Sequence, residues 1–194
     1  MIDKKNNLFL LILFFVYLSS GFYLIYHGYI LLLPHLILGI FLFFVLLSSF
    51  FLLFTKKYKK IAFKFFSSIL IIYTCIGILT LFSWDIRKFA FYRLASKSEF
   101  LISAIDSYGK NTGKTPLSLN DLVPDYISKI PKTGIIRYPE YTYNLNKERW
   151  SLSIDASLGV LNWDVFVYLS DQKYPDYMAG GSVERIGKWA YIHE

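Results

Sequence analysis

The chain has 194 residues, 55% of them hydrophobic, and a formal net charge of +7. Both features are unevenly placed: residues 1–84 hold seven Lys against one Asp, and residues 85–194 hold fourteen Lys or Arg against thirteen Asp or Glu. The basic excess therefore belongs to the apolar half and argues against nucleic-acid binding, which needs a basic face on the folded domain; the single cysteine, Cys75, excludes an intramolecular disulfide.

Three apolar stretches come first, over about 8–26, 30–54 and 61–84. A helix needs about 20 such residues to cross the hydrocarbon core, so each is a predicted membrane span. Pro34 falls in the first turn of the second, where a missing N–H is tolerated. The loop around His27 and Gly28 lacks Lys and Arg, whereas Lys56-Lys57-Tyr58-Lys59-Lys60 and the leading Lys4-Lys5 are basic. Basic loops stay in the cytoplasm, so the N-terminus is expected inside and everything after Trp84 outside. A cleaved signal peptide ending near Ser19-Ser20-Gly21 is the alternative reading of the first stretch, and it leaves the same final topology.

Within the spans the ionisable group is Lys64, one turn into the third, placed to snorkel to the cytoplasmic surface. His27 and His35 fall at or near the outer loop. Ser19-Ser20-Gly21, Ser48-Ser49 and Ser67-Ser68 are small enough to let helices approach closely.

Residues 85–97 are expected to form a connector helix, and 98–194 an α+β domain. Leu101, Ala104, Ile105 and Tyr108 keep the i, i+3, i+4, i+7 spacing of an apolar helix face. Gly109 to Gly113 ends it, because glycine suits left-handed C-terminal positions. Ser118 with Asp121 three residues on marks the start of a short helix. The period then changes to two. Tyr141, Tyr143 and Leu145, then Trp150, Leu152 and Ile154, then Val165, Val167 and Leu169, predict antiparallel strands, with a turn at Asn146-Lys147-Glu148. Ser170 to Ser182 is predicted as a long loop, followed by a final strand over about 188–192.

These residues resemble the pilin-like superfamily, in particular the soluble domain of the type II secretion major pseudopilin. The resemblance covers about 98–194. It rests on Leu101–Tyr108, on Gly113-Lys114-Thr115-Pro116-Leu117-Ser118-Leu119 with Asp121-Leu122-Val123-Pro124, on Lys129-Ile130-Pro131-Lys132 and on Ile186-Gly187-Lys188-Trp189. It stops short of the N-terminal processing motif: Gly21-Phe22 is followed by Tyr26 where the family has Glu. Thr133-Gly134-Ile135-Ile136 stands in place of the family's Asp-Pro-Trp-Gly. The resemblance implies calcium in the loop before the last strand, where Asp171 and Asp176 are the candidate metal ligands. Calcium takes six to eight oxygen ligands, so backbone carbonyls would have to supplement them.

No catalytic constellation is legible. The domain's histidine, His193, is expected to lie in a frayed end, and no clustered His and Cys ligands suit zinc. The chain is thus expected to be a non-enzymatic protein of the bacterial cytoplasmic (inner) membrane. Its partners are the lipid bilayer and an extracytoplasmic protein, and the context is secretion or surface assembly. The alternatives are a membrane enzyme or transporter component, or an inhibitor of the toxin-immunity type.

Overall fold

The computed structural model describes residues 4–29, 32–147, 149–157, 162–178 and 180–193, with the backbone alone for 4–7 and 32–36. The chain divides into two compact units, Met1–Ile25 with Ile30–Ile86, and Tyr26–Tyr29 with Arg87–Glu194. The expected contributions of Lys4, Lys5, Pro34 and His35 side chains, and of Glu148 in a turn, lie outside the described residues.

The first unit contains α1 (Lys4–Tyr26), α2 (Leu32–Leu52) and α3 (Lys59–Leu81). Two of these are long and apolar enough to cross a membrane, α1 over Leu8–Tyr26 and α3 along its length. In α2 the apolar stretch among the described side chains is Ile37–Leu52, shorter than a full span. All three present large apolar side chains outward, among them Phe9, Phe15, Phe41, Phe44, Phe65 and Leu70. That inverts the pattern of a helix in water, which turns its apolar stripe inward.

Inside the unit, contact is made by small groups. Gly21 faces Leu79 so closely that an added Cβ would lie 2.2 Å from its Cδ1. The Tyr73 hydroxyl donates to the Gly39 carbonyl. Cys75 is fully buried, with Sγ 3.9 Å from the Phe14 carbonyl. The hydroxyls of Ser19, Ser20 and Ser48 instead return to their own helix, bonding carbonyls four residues back at 2.7–2.8 Å.

The third apolar helix ends earlier than its composition predicts. Phe82 leaves the helical path at φ −99° and ψ 9°, and Ser83, not Asp85, starts the next helix, α4 (Ser83–Thr112). The predicted connector over 85–97 is therefore no separate element. One stripe, Arg87, Ala90, Phe91, Leu94, Ser98, Leu101, Ile102 and Ile105, is buried along the length of α4 and keeps it a single helix. Gly113 closes it at φ +70°, a conformation that side chains with a Cβ resist.

After α4 a single 3₁₀ turn covers Leu119–Leu122. Among the described residues six strands follow: β1 (Thr142–Asn146), β2 (Arg149–Asp155), β3 (Val165–Leu169), β4 (Tyr177–Met178), β5 (Gly181–Ile186) and β6 (Trp189–His193). They form one antiparallel sheet in the order β1-β2-β3-β6-β5-β4. The predicted loop over 170–182 is thus corrected: β4 and the start of β5 lie within it. The reason is the turn that follows β5. Gly187, at φ +62°, makes a two-residue hairpin with Lys188 and pairs Ile186 with Trp189.

The central strands β3 and β6 are buried on both faces. Phe166 and Tyr191 meet Phe91 of α4, Phe166 is stacked on Trp189 at 4.9 Å, and Tyr168 meets Trp189 in turn. Val167, Ala190 and Ile192 form a second apolar cluster on the opposite side with Val165, Leu169, Tyr174, Met178 and Val183. The Tyr174 hydroxyl anchors that cover, accepting from Leu169 N–H at 2.7 Å and donating to the Lys188 carbonyl at 2.8 Å. Burial pushes its phenol up to about 12.

Gly21→Leu is expected to destabilise the first unit by about 1–3 kcal/mol through overpacking against Leu79. Gly77→Ala, where an added Cβ meets nothing within 4 Å, is expected to be neutral or stabilising by up to about 1 kcal/mol. Thermal or detergent-challenge unfolding of the two variants checks the contrast.

Candidate functional site

The arginine that opens the buried stripe of α4 is the most unusual residue of the second unit. Arg87 is 5% exposed. Its Nη2 donates to the Ala156 carbonyl at 3.0 Å and to the Tyr191 hydroxyl at 3.1 Å, and its guanidinium lies over Phe91 at 5.4 Å. Tyr191 passes the contact on, donating to Asp164 Oδ2 at 2.6 Å. Asp164 is also buried. A buried cation and carboxylate are thus linked through a phenol. Burial, opposed by Arg87 and aided by Asp164, raises the Tyr191 pKa well above that of a free phenol, so the relay keeps its proton. Arg87 Nε and Nη1 have no hydrogen-bond partner among the described residues.

A second, more open cluster follows on the next residue. Lys88 and His193 both contact Glu184, the lysine as an ion pair and the His193 Nε2 at 3.2 Å. His193 stacks against Tyr191 at 4.7 Å. The histidine expected in a frayed end is therefore the last described residue of a paired strand, registered against Ser182. Burial works against ionisation of Glu184, but its bonds and charges from Lys88 and His193 outweigh that and hold the carboxyl below its usual value.

The two calcium candidates lie elsewhere. Asp171 sits in the turn after β3, where Gln172 takes φ +55°. Its Oδ2 pairs with Arg149, and its Oδ1 accepts the Lys173 N–H at 3.2 Å. Asp176 precedes β4, with its main-chain carbonyl accepting the Val183 N–H at 3.1 Å. Among the described residues no three His, Cys, Asp or Glu side chains come together in a metal-holding group.

The third feature is a cleft of about 560 Å³ at the end of β2 and the start of β1. Arg137, Glu140, Thr142, Asp155, Asn162 and Trp163 line it. Its floor is held by Tyr138, whose hydroxyl reaches the Ser157 carbonyl at 3.1 Å and the Ala156 carbonyl at 3.3 Å. His27 belongs to this unit as well: its Nδ1 accepts the Ile136 N–H at 3.3 Å and its carbonyl accepts the Arg137 N–H at 3.3 Å.

Sequence reasoning found neither the arginine network nor the cleft. Arg87 reads as an ordinary charge after an apolar segment, and the cleft's residues are spread over 137–163. One signal was present: Arg87 falls in register with Phe91, Leu94 and Ser98, on the inward stripe. Comparison with protein-family models, with curated proteins and with solved structures gives no match.

Arg87→Met is expected to destabilise the domain by about 3 kcal/mol, because it leaves Asp164 buried without its cation. Adding Asp164→Asn is expected to recover part of that loss. A double-mutant cycle by chemical denaturation measures the coupling, and strict additivity would show that the two charges act independently. The low pKa of Glu184 gives a further expectation. Stability from the Lys88–Glu184–His193 cluster is present at neutral pH and lost as pH falls below the ordinary carboxyl value into the acid range. The wild type is expected to lose stability over that window more steeply than Glu184→Gln, as read from unfolding midpoints between neutral pH and pH about 3.

Proposed function

We propose that the protein is a membrane-anchored, non-enzymatic interaction module. In this reading three helices cross the bacterial cytoplasmic membrane and hold the α+β domain on the extracytoplasmic side, where it engages a protein partner. The observation that carries the reading is the outward apolar surface of α1 and α3, which water does not tolerate and a lipid environment does. The 21-residue α2 supplies the second crossing in this reading. The basic stretch Lys56–Lys60, which runs from the turn after α2 into the start of α3, favours the cytoplasmic side for that end.

For the domain, a 30-residue helix laid on an antiparallel sheet supports the pilin-like resemblance of residues 98–194. Leu117 and Tyr177, both largely exposed, offer apolar contacts to a partner. The short strand β4 forms one sheet edge, and a sheet edge offers unpaired backbone groups.

Fusions at the C-terminus test the orientation. A reporter enzyme that folds only outside the cytoplasm is expected to be active, and a fluorescent reporter that matures only in the cytosol is expected to be dark. The reverse pair of results would overturn the proposal.

A further inference from the structure

The cleft at the end of β2 and the start of β1 combines features that no account of folding needs. Trp163 lines it with its indole 62% exposed, and no ring contact or hydrogen bond occupies that side chain among the described residues. A flat indole in water at the mouth of a concavity is a large apolar surface without a structural partner. Around it stand groups of both hydrogen-bonding kinds. Glu140 and Asp155 accept, Arg137 donates, Thr142 does both, and the Ser157 hydroxyl, whose hydrogen goes to Asp155, accepts. Asp155 is held in place, its Oδ1 accepting the Ser157 N–H at 3.0 Å and the Ser157 hydroxyl, while its Oδ2 has no partner among the described residues. Glu140 has none either.

We infer that this cleft binds a saccharide, with one sugar ring stacked on Trp163 and its hydroxyls taken by Asp155, Glu140 and Arg137. A sugar ring has an apolar C–H face and a rim of groups that both donate and accept, which matches an aromatic wall edged by carboxylates and a guanidinium. The other ligand classes fit less well. Two carboxylates against one arginine repel a phosphate or a nucleotide. The two carboxylates lack a third for a divalent metal among the described residues. An apolar ligand would leave the polar rim without partners. This inference goes beyond the interaction-module reading and stands without it, since it concerns the domain's own surface.

The test uses the full chain in lipid nanodiscs prepared without alkyl-glycoside detergents, whose sugar headgroups would compete. Calorimetry and saturation-transfer NMR with chitohexaose and maltohexaose are the measurements. Saturable binding of either oligosaccharide is expected, with half-saturation at roughly 1 mM or below. Trp163→Ala is expected to weaken it by about tenfold or more, a loss of stacking surface, while Trp163→Phe keeps most of it. Trp163 is exposed, so both variants are expected to keep the wild-type circular dichroism spectrum. Preference for one of the two sugars would support the inference and name the class. No saturable binding of either up to roughly 10 mM, or binding by Trp163→Ala equal to wild type, would overturn it. A failed orientation test leaves this result untouched, and a failed binding test leaves the orientation untouched.

Discussion

The second unit depends on one face of α4 finding a sheet face of the right shape. Phe91, Leu94, Leu101 and Ile105 are all buried on that helix. The sheet offers Phe166, Trp189 and Tyr191 in return: Phe166 is stacked on Trp189, and Phe166 and Tyr191 meet Phe91 at tilted angles. Each aromatic side chain buries roughly 150–250 Å², so these rings are large contributors to the domain's core. The contact is also specific, because the Trp189 indole N–H donates to a fully buried Ser98 hydroxyl at 3.0 Å. A buried serine is tolerated there only because it is bonded, so the helix and the last strand lock in one register.

The buried charges extend the same constraint. Arg87 stands on the inward stripe, where a leucine would be unremarkable, and it carries its cation into the interior. A charge in that position is sustained by geometry: a carbonyl of residue 156 and a phenol on β6 accept from it, and the phenol in turn donates to a carboxylate just before β3. These come from three separate segments, so the network ties the ends of β2, β3 and β6 to the first turns of α4. The residues flanking Ala156, Asp155 and Ser157, and the two that precede Asp164, Asn162 and Trp163, line the cleft. The cleft is therefore built on the most constrained part of the domain, as a binding site held by a rigid frame should be.

The first unit obeys different physics. Its helices bury little and expose much, and their close contacts come from glycine, cysteine and a tyrosine hydroxyl reaching a glycine carbonyl. Between helices surrounded by lipid, small residues and hydrogen bonds hold what the hydrophobic effect does not. Two of these helices, α1 and α3, are long and apolar enough to cross a membrane.

Much of the local structure was legible. The apolar stretches, the alternation in Trp150, Leu152 and Ile154, and the Ser118–Asp121 cap are all short-range patterns, and each is formed. Asp121 accepts the N–H groups of Leu117 and Ser118 at 2.8 and 3.0 Å, and these bonds lower its pKa. The strand β5 was not legible, because Ser182, Val183, Glu184 and Arg185 have no clear alternation. Glu184 is fixed by Lys88 and His193, groups far from it in sequence. The same limit hid Arg87's interior position and the cleft.

The sequence by itself determined which segments are greasy, that α4 stops at Gly113 and where β1, β2 and β3 fall, since those follow from side-chain period and backbone preference over a few residues. Only the tertiary structure decided that 83–112 is one helix, that an arginine lies inside, and that Trp163 lines one cleft with Glu140 and Asp155. Those depend on pairing between distant residues, and the free energy of such contacts exists only once the sheet has assembled.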